Sequence, residues 1–245
     1  MTETDVPIGP LLGVVLGVLA LAGAGVAYAG RLGVGRAVLT ASLRAAVQLA
    51  AVSVIIVVVL RHGLLTSAFI GLMYTVAALT AARRVGDGWS AWWIAAAAIA
   101  AGVAPVLTLL LASGLVPLKG ISVVPIAGIL IGGAMTATSL AGRRALDELR
   151  TRHGEYEAGL AIGLMRRDAA LEIARPKAAT ALVPALDQTR TVGLVTLPGA
   201  FVGVLLGGAS PVQAGAIQLL VLIGLLAVES LAVLVTIEAI CTRYN

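Results

Sequence analysis

Cysteine, lysine and histidine are almost missing from this chain, and each scarcity closes off a class of chemistry. The one cysteine in 245 residues, Cys241, cannot form a disulfide within the chain. The two histidines, His62 and His153, belong to no HExxH motif or paired Cys/His spacing, which argues against a zinc site within one chain. The two lysines are Lys119, after Leu118, and Lys177, after Pro176. Neither fits the GxxxxGK[ST] loop that cradles phosphates, so the chain has no ATPase site of its own. No GxSxG elbow or pair of catalytic carboxylates is present. An enzyme is not expected; an energy source must be a gradient or another chain.

Charge is also sparse. Charged residues make up 12% of the chain and aromatics 4%, against 60% hydrophobic residues and a mean hydropathy of +1.04. A water-soluble domain of this length does not carry such a composition. The formal net charge of +5 is read as topology, with no nucleic-acid partner expected. The apolar stretches run to about 20 residues, the length needed to cross a bilayer as a helix, without the ten-residue alternation of a membrane barrel. Seven such segments fall at about 8–29, 38–60, 64–82, 89–112, 121–142, 178–206 and 211–238. The expected fold is an all-α integral membrane protein of about seven transmembrane helices, a single permease domain over 1–245, with a six-helix version if one segment is re-entrant. The opening MTETDVP, with Glu3 and Asp5, lacks the basic start of a signal peptide, so the first segment is expected to remain as an anchor.

The basic residues are distributed unevenly. With the N-terminus outside, inward connections hold Arg31 and Arg36, Arg83 and Arg84, the eight Lys/Arg of the 143–177 interval, and Arg243; outward ones hold Arg61 and Lys119. The positive-inside rule favours that orientation, with a cytosolic C-terminus. Runs rich in Ala, Gly, Ser and Thr, such as Gly132–Thr138, mark faces where helices pack closely in lipid.

The water-facing interval from about Arg143 to Lys177 reads as two or three short helices. Leu146 and Leu149 share a face, and Arg144, Glu148 and Arg152 are spaced for ion pairs worth about 0.2–0.5 kcal/mol each. His153–Gly154 and then Gly163 interrupt it, and Pro176 is expected to end the last helix at Arg175. A plain solvated linker has no use for Leu160, Ile162, Leu164 and Met165 at its centre. These point to a protein-docking surface. The next segment carries Pro184, Gly193, Pro198 and Gly199 as hinges beside Asp187, Gln188 and Arg190, and broken helices at membrane depth are tolerated where they line a cavity. Asp187 and Arg190 either pair to orient the helix near the interface or meet substrate. Arg44 and Gln48, one turn apart, Gln218, and Glu229 in LLAVESLAV are further candidates for a translocation path. Glu229 reads as a cation ligand, a protonated acid or the partner of a buried arginine such as Arg44.

Two resemblances add to this reading. Glu157, Ala158 and Gly159, followed by Gly163, Ile173, Arg175 and Pro176, resemble the EAA loop by which many ABC importer permeases meet their ATPases, with Arg175 replacing a leucine. That likeness implies ATPase coupling through Glu157, Ala158, Gly163, Ile173 and Pro176. Over more of the chain, PALDQTRTVGLVTLPG (184–199), the run AIGLMRRDAALEIARPKAATAL before it, GASPVQAGAIQ (208–218) and VVPIAG (123–128) resemble the FetB family of ABC permeases. This family includes bacterial iron exporters and plant permeases linked to aluminium tolerance. The resemblance implies a permease homodimer in a bacterial plasma membrane, working with two copies of a cytosolic ATPase that binds the ATP and magnesium, and exporting iron or a related metal. Ala200 and Phe201 stand where the family pattern has methionines, and Glu229 where it has small or hydroxyl residues. A soft sulfur ligand is thereby lost and a hard carboxylate gained. The rival expectations are another cargo, such as a nucleotide sugar, and a gradient-driven carrier.

Overall fold

The computed structural model describes residues 9–86 and 88–244; the acidic start with Glu3 and Asp5 lies outside them. Ten α-helices follow in order, with no strand among the described residues: α1 Pro10–Ala29, α2 Gly35–Arg61, α3 Gly63–Val85, α4 Gly88–Ala112, α5 Gly120–Thr151, α6 His153–Ala161, α7 Arg166–Ala179, α8 Val183–Thr191, α9 Gly199–Leu206 and α10 Pro211–Arg243. Six of them, α1 to α5 and α10, are long and apolar enough to cross a membrane. The chain divides into two compact units, Met1–Val59 and Leu60–Asn245.

In the first unit, α1 begins at Pro10, whose missing N–H costs nothing in the first turn. It ends in a turn through Gly30 and Arg31, the latter at φ 51°. Arg44 and Gln48 sit one turn apart on the exposed surface of α2.

In the second unit α10 packs against α4, α5 and α7, and α3 packs against α4 and α5. The contacts are built from small residues. Ala77, Ala78, Ala81 and Ala82 of α3 and Ala91, Ala95 and Ala96 of α4 are all buried, as are Ala127, Ala134, Ala137, Ala141 and Ala145 of α5. Lipid offers no hydrophobic drive between helices, so close backbone approach and dispersion hold such a bundle. Gly102 shows how close: a Cβ there would lie 2.6 Å from the Val228 carbonyl oxygen. Because that neighbour is backbone, Gly102→Ala is expected to cost about 1–3 kcal/mol, the usual range for overpacking. It should lower the unfolding midpoint in detergent, whereas Gly71→Ala, whose Cβ would meet nothing within 4 Å, should not.

The lengths of α5 and α10 position everything functional. At 1.5 Å per residue their 32 and 33 residues reach about 48–50 Å, well past a hydrocarbon core of roughly 30 Å. Their C-terminal ends protrude together: the Tyr244 hydroxyl donates to the Leu149 carbonyl at 3.2 Å. Around them a cluster forms from Leu149, Tyr156, Leu171, Ile173, Ile237 and Cys241, with Val85 from the end of α3. The first of the expected short helices, over 143–151, is thus the continuation of α5. Gly142, just before Arg143, does not break it, because that glycine is packed against α3, where a Cβ would lie 2.6 Å from Val85 Cγ2, and Leu149, fully buried, keeps its face on the core.

The segment expected to span 178–206 is two short helices. Pro184 sits in the first turn of α8, Gly193 turns the chain at φ 82°, and Pro198 precedes α9 in extended geometry. Since α5 and α10 end on the same side, the chain must return to the opposite side before α10 begins. α8 and α9 together make that crossing. The sixth of the expected segments is therefore a broken one. α10 restarts with a capping box, Ser210 accepting from the Gln213 amide and Gln213 from the Ser210 amide, with Pro211 at its first position.

One helix boundary differs from expectation. α7 runs through Pro176 to Ala179 instead of stopping at Arg175. Pro176 removes one hydrogen bond, to the Glu172 carbonyl, but both residues lie on the exposed face where water can serve instead. On the other face Ala169, Ala170, Leu171, Ile173, Ala174 and Ala178 are buried, and that packing holds the helix together across the proline.

Candidate functional site

At the charged end of the second unit, α6 and α7 form an elbow. Gly159 lets them pack closely, since a Cβ there would already lie 3.2 Å from that of Ala169. Gly163, at φ 95°, reverses the chain in a conformation that costs an L-residue roughly 1–2 kcal/mol. Its φ is why the turn presents apolar side chains outward: Ile162 is 82% and Met165 72% exposed, with Leu164 beside them. Leu160 is half-buried and packs back onto the core.

The residues assigned to ATPase coupling divide between this surface and its support. Glu157, Ala158, Gly163 and Pro176 are exposed. Ile173 is buried in the cluster beneath and fixes α7 from below. The elbow is further tied down by charge. Arg152 donates to Glu155, with Nε to Oε1 at 2.7 Å, and to Glu148 at 3.5 Å. The Arg152 guanidinium holds the Glu155 carboxyl below the usual carboxylate range, so both ends of the pair are ionised at neutral pH. Arg144 reaches Thr180 at 3.0 Å.

Two ties absent from the sequence reading join the elbow to α10. Arg167 of α7 donates to Glu238 of α10 at 2.6 and 3.0 Å, and Arg175 lies 3.8 Å from the same carboxylate. Glu238 raises the affinity of the Arg167 guanidinium for its proton, keeping it charged. Nearby, His153 Nδ1 and the Tyr244 hydroxyl are 3.2 Å apart, and Tyr156 packs edge-on against Tyr244 at 5.1 Å. These partners are 63 to 91 residues apart in sequence, so no local spacing announces them.

Further along α10 lie the candidates for a path. Glu229 is 7% exposed and faces α5, where a Cβ on Gly133 would come within 2.8 Å of its Oε1. It has no hydrogen bond or ion pair among the described residues of the second unit. Gln218 is buried, and with Gly193, Pro198 and Phe201 it lines a cavity of about 420 Å³ between the 192–201 turn and α10. The structure thus brings Gln218 together with two of the four hinges. Asp187 and Arg190 form the anticipated pair at 3.6 Å on the exposed surface of α8, beside Gln188. Among the described residues no group of three His, Cys, Asp or Glu is arranged to hold a metal ion.

The match to known sequences decides the family. A family model described as an uncharacterised protein family, UPF0014, covers residues 11–244. The chain belongs to UPF0014. Within this family it is 34% identical over 196 residues to the UPF0014 membrane protein STAR2 of Oryza sativa subsp. japonica, covering 78% of this chain and 68% of that one. To the protein ALUMINUM SENSITIVE 3 of Arabidopsis thaliana it is 35% identical over 61% of this chain and 55% of that protein. A third relative is the probable iron export permease protein FetB of Escherichia coli, 33% identical over 56% of this chain and 53% of the relative. The UPF0014 chain is thus an all-α, multi-pass membrane protein. No solved structure matches it.

Proposed function

We propose that this chain is the membrane-spanning subunit of an ATP-binding-cassette transporter. The observation that carries the reading is the elbow: Ile162, Leu164 and Met165 are held outward on a Gly163 turn, over a packed base, at the basic end of the bundle. Helix-in-groove docking needs an apolar knob on a rigid support. The nucleotide chemistry, ATP and magnesium, belongs to a separate cytosolic subunit, two copies serving a permease homodimer in a lipid bilayer. The basic end, with Arg83, Arg84, the 143–177 cluster and Arg243, faces the cytosol; Arg61 and Lys119 mark the opposite end. Seven crossings then put the N-terminus outside.

The cargo we assign is iron or a related metal, moved outward, on the strength of the FetB relative's name. Arg44, Gln48, Asp187, Gln188, Arg190, Gln218 and Glu229 are proposed to line the path, with Pro184, Gly193, Pro198 and Gly199 as the hinges that let it open and close. Alternating access would then consist of α8 and α9 moving against α10 as the partner subunits close on ATP. A photo-crosslinking amino acid at position Met165 is expected to capture a nucleotide-binding subunit in native membranes, while one at Lys119, at the opposite end, captures none. Capture from Lys119 but not from Met165 would contradict the assigned docking face and the orientation together.

A further inference from the structure

The cavity beside Gln218 borders the proposed path but does not have the chemistry of a cation site. Its walls are Val192, Leu197, Pro198 and Phe201 from the broken segment, with Leu219 and Leu222 from α10. Among the described residues no ionisable side chain lines it, so a bare cation entering there would lose its hydration with no carboxylate, imidazole or thiolate to replace it. Gln218 supplies a single polar side chain. It is 5% exposed, and its Oε1 is buried with no hydrogen-bond partner among the described residues. Native proteins leave few such groups unpaired, and those they do leave call for a partner. Rotation about χ3 exchanges the ends of the amide, so Gln218 can offer the cavity either a donor or an acceptor. Gly215, one turn earlier, keeps the space open: a Cβ there would meet nothing within 4 Å.

We infer that this cavity is a binding site for an uncharged, largely apolar molecule carrying one hydrogen-bonding group, which Gln218 recognises. Its volume, about 420 Å³, lies within the range of small-molecule pockets, roughly 300–1,000 Å³, and an apolar lining with one fixed polar group is what gives such pockets orientation without charge. One wall is the hinge segment with Gly193 and Pro198, so occupancy and hinge geometry depend on each other. The inference stands on the cavity itself and holds whether or not ATP drives transport.

The test uses the full chain in lipid nanodiscs and two light-activated probes: a trifluoromethyl-phenyldiazirine with a para-hydroxyl group, and the same diazirine without it. Both partition into lipid, so labelling is normalised to that of the exposed face of α3 and mapped by peptide mass spectrometry. The hydroxylated probe is expected to label 192–201 and 215–222 about three- to tenfold more than its analogue, the advantage one hydrogen bond gives. Gln218→Leu, which keeps the helix and volume, should erase that difference, and Gly215→Leu, which fills the cavity, should remove labelling by both probes. Equal labelling of this stretch by the two probes in the unaltered chain, or full labelling in Gly215→Leu, would overturn the site. So would zero-length cross-links between the 192–201 stretches of two copies with no probe attached, which would show that a second copy fills the cavity.

Discussion

Gly163→Pro leaves the chain inserted in the membrane at normal levels but abolishes the coupling of ATP hydrolysis to transport, by about tenfold or more, equivalent to at least roughly 1.4 kcal/mol. Proline fixes φ near −65°, and position 163 is held at 95°. The α6–α7 turn must therefore rebuild, and the outward positions of Ile162 and Met165 go with it. Nothing in the bundle core depends on this glycine, since a Cβ on it would meet no atom within 4 Å. Gly163→Asn is the matching control: asparagine tolerates the left-handed region far better and should retain most of the coupling. The measurement is the ratio of cargo moved to ATP hydrolysed in reconstituted vesicles, with thermal unfolding of the permease alongside. Normal coupling in the proline variant would remove the elbow from the docking site.

The second large effect belongs to Glu238→Arg. Glu238 binds Arg167 and lies near Arg175, so reversal places three cations together where α7 meets α10. The groups are partly exposed, and exposed pairs contribute roughly 0.2–1 kcal/mol, so stability should fall by no more than about that amount. Coupling should fall several-fold more, because this contact connects the docking elbow to the helix that carries Glu229 and Gln218. Gln218 lies 20 residues up α10 from Glu238, about 30 Å along one continuous helix. A movement imposed at the elbow thus has a rigid route to the cavity wall. Reversing the pair, with Arg167→Glu added to Glu238→Arg, should restore much of the coupling. If the double variant is no better than the single one, the ion pair does not carry the movement. If the single variant loses stability and coupling in proportion, Glu238 serves only the fold.

The crossings were legible because each rests on a local signal: apolar runs of bilayer length, and Pro184, Gly193 and Pro198 in the one run that is broken. Gly163 could be read as a turn for the same reason. What could not be read depended on tertiary burial. Pro176 carries a local stop signal, yet the buried face of α7 outweighs one lost hydrogen bond. Ile173 matches a docking motif, but its side chain is enclosed by the packing of α7 on α5 and α10. The His153–Tyr244 and Arg167–Glu238 contacts arise because α5 and α10 protrude from the membrane on the same side, which no residue spacing expresses. Gln218 could be singled out as a polar residue in an apolar run; that it faces a cavity without a second polar side chain needed the broken crossing to be in place.

Native mass spectrometry of the tagged chain, gently solubilised from its own host, tests the central claim most directly. The account predicts two permease copies with two nucleotide-binding subunits, and loss of those subunits when Ile162 and Met165 are both changed to Asp. A permease homo-oligomer that carries no nucleotide-binding subunit in several detergents, and whose vesicles move cargo down an ion gradient without nucleotide, would contradict it.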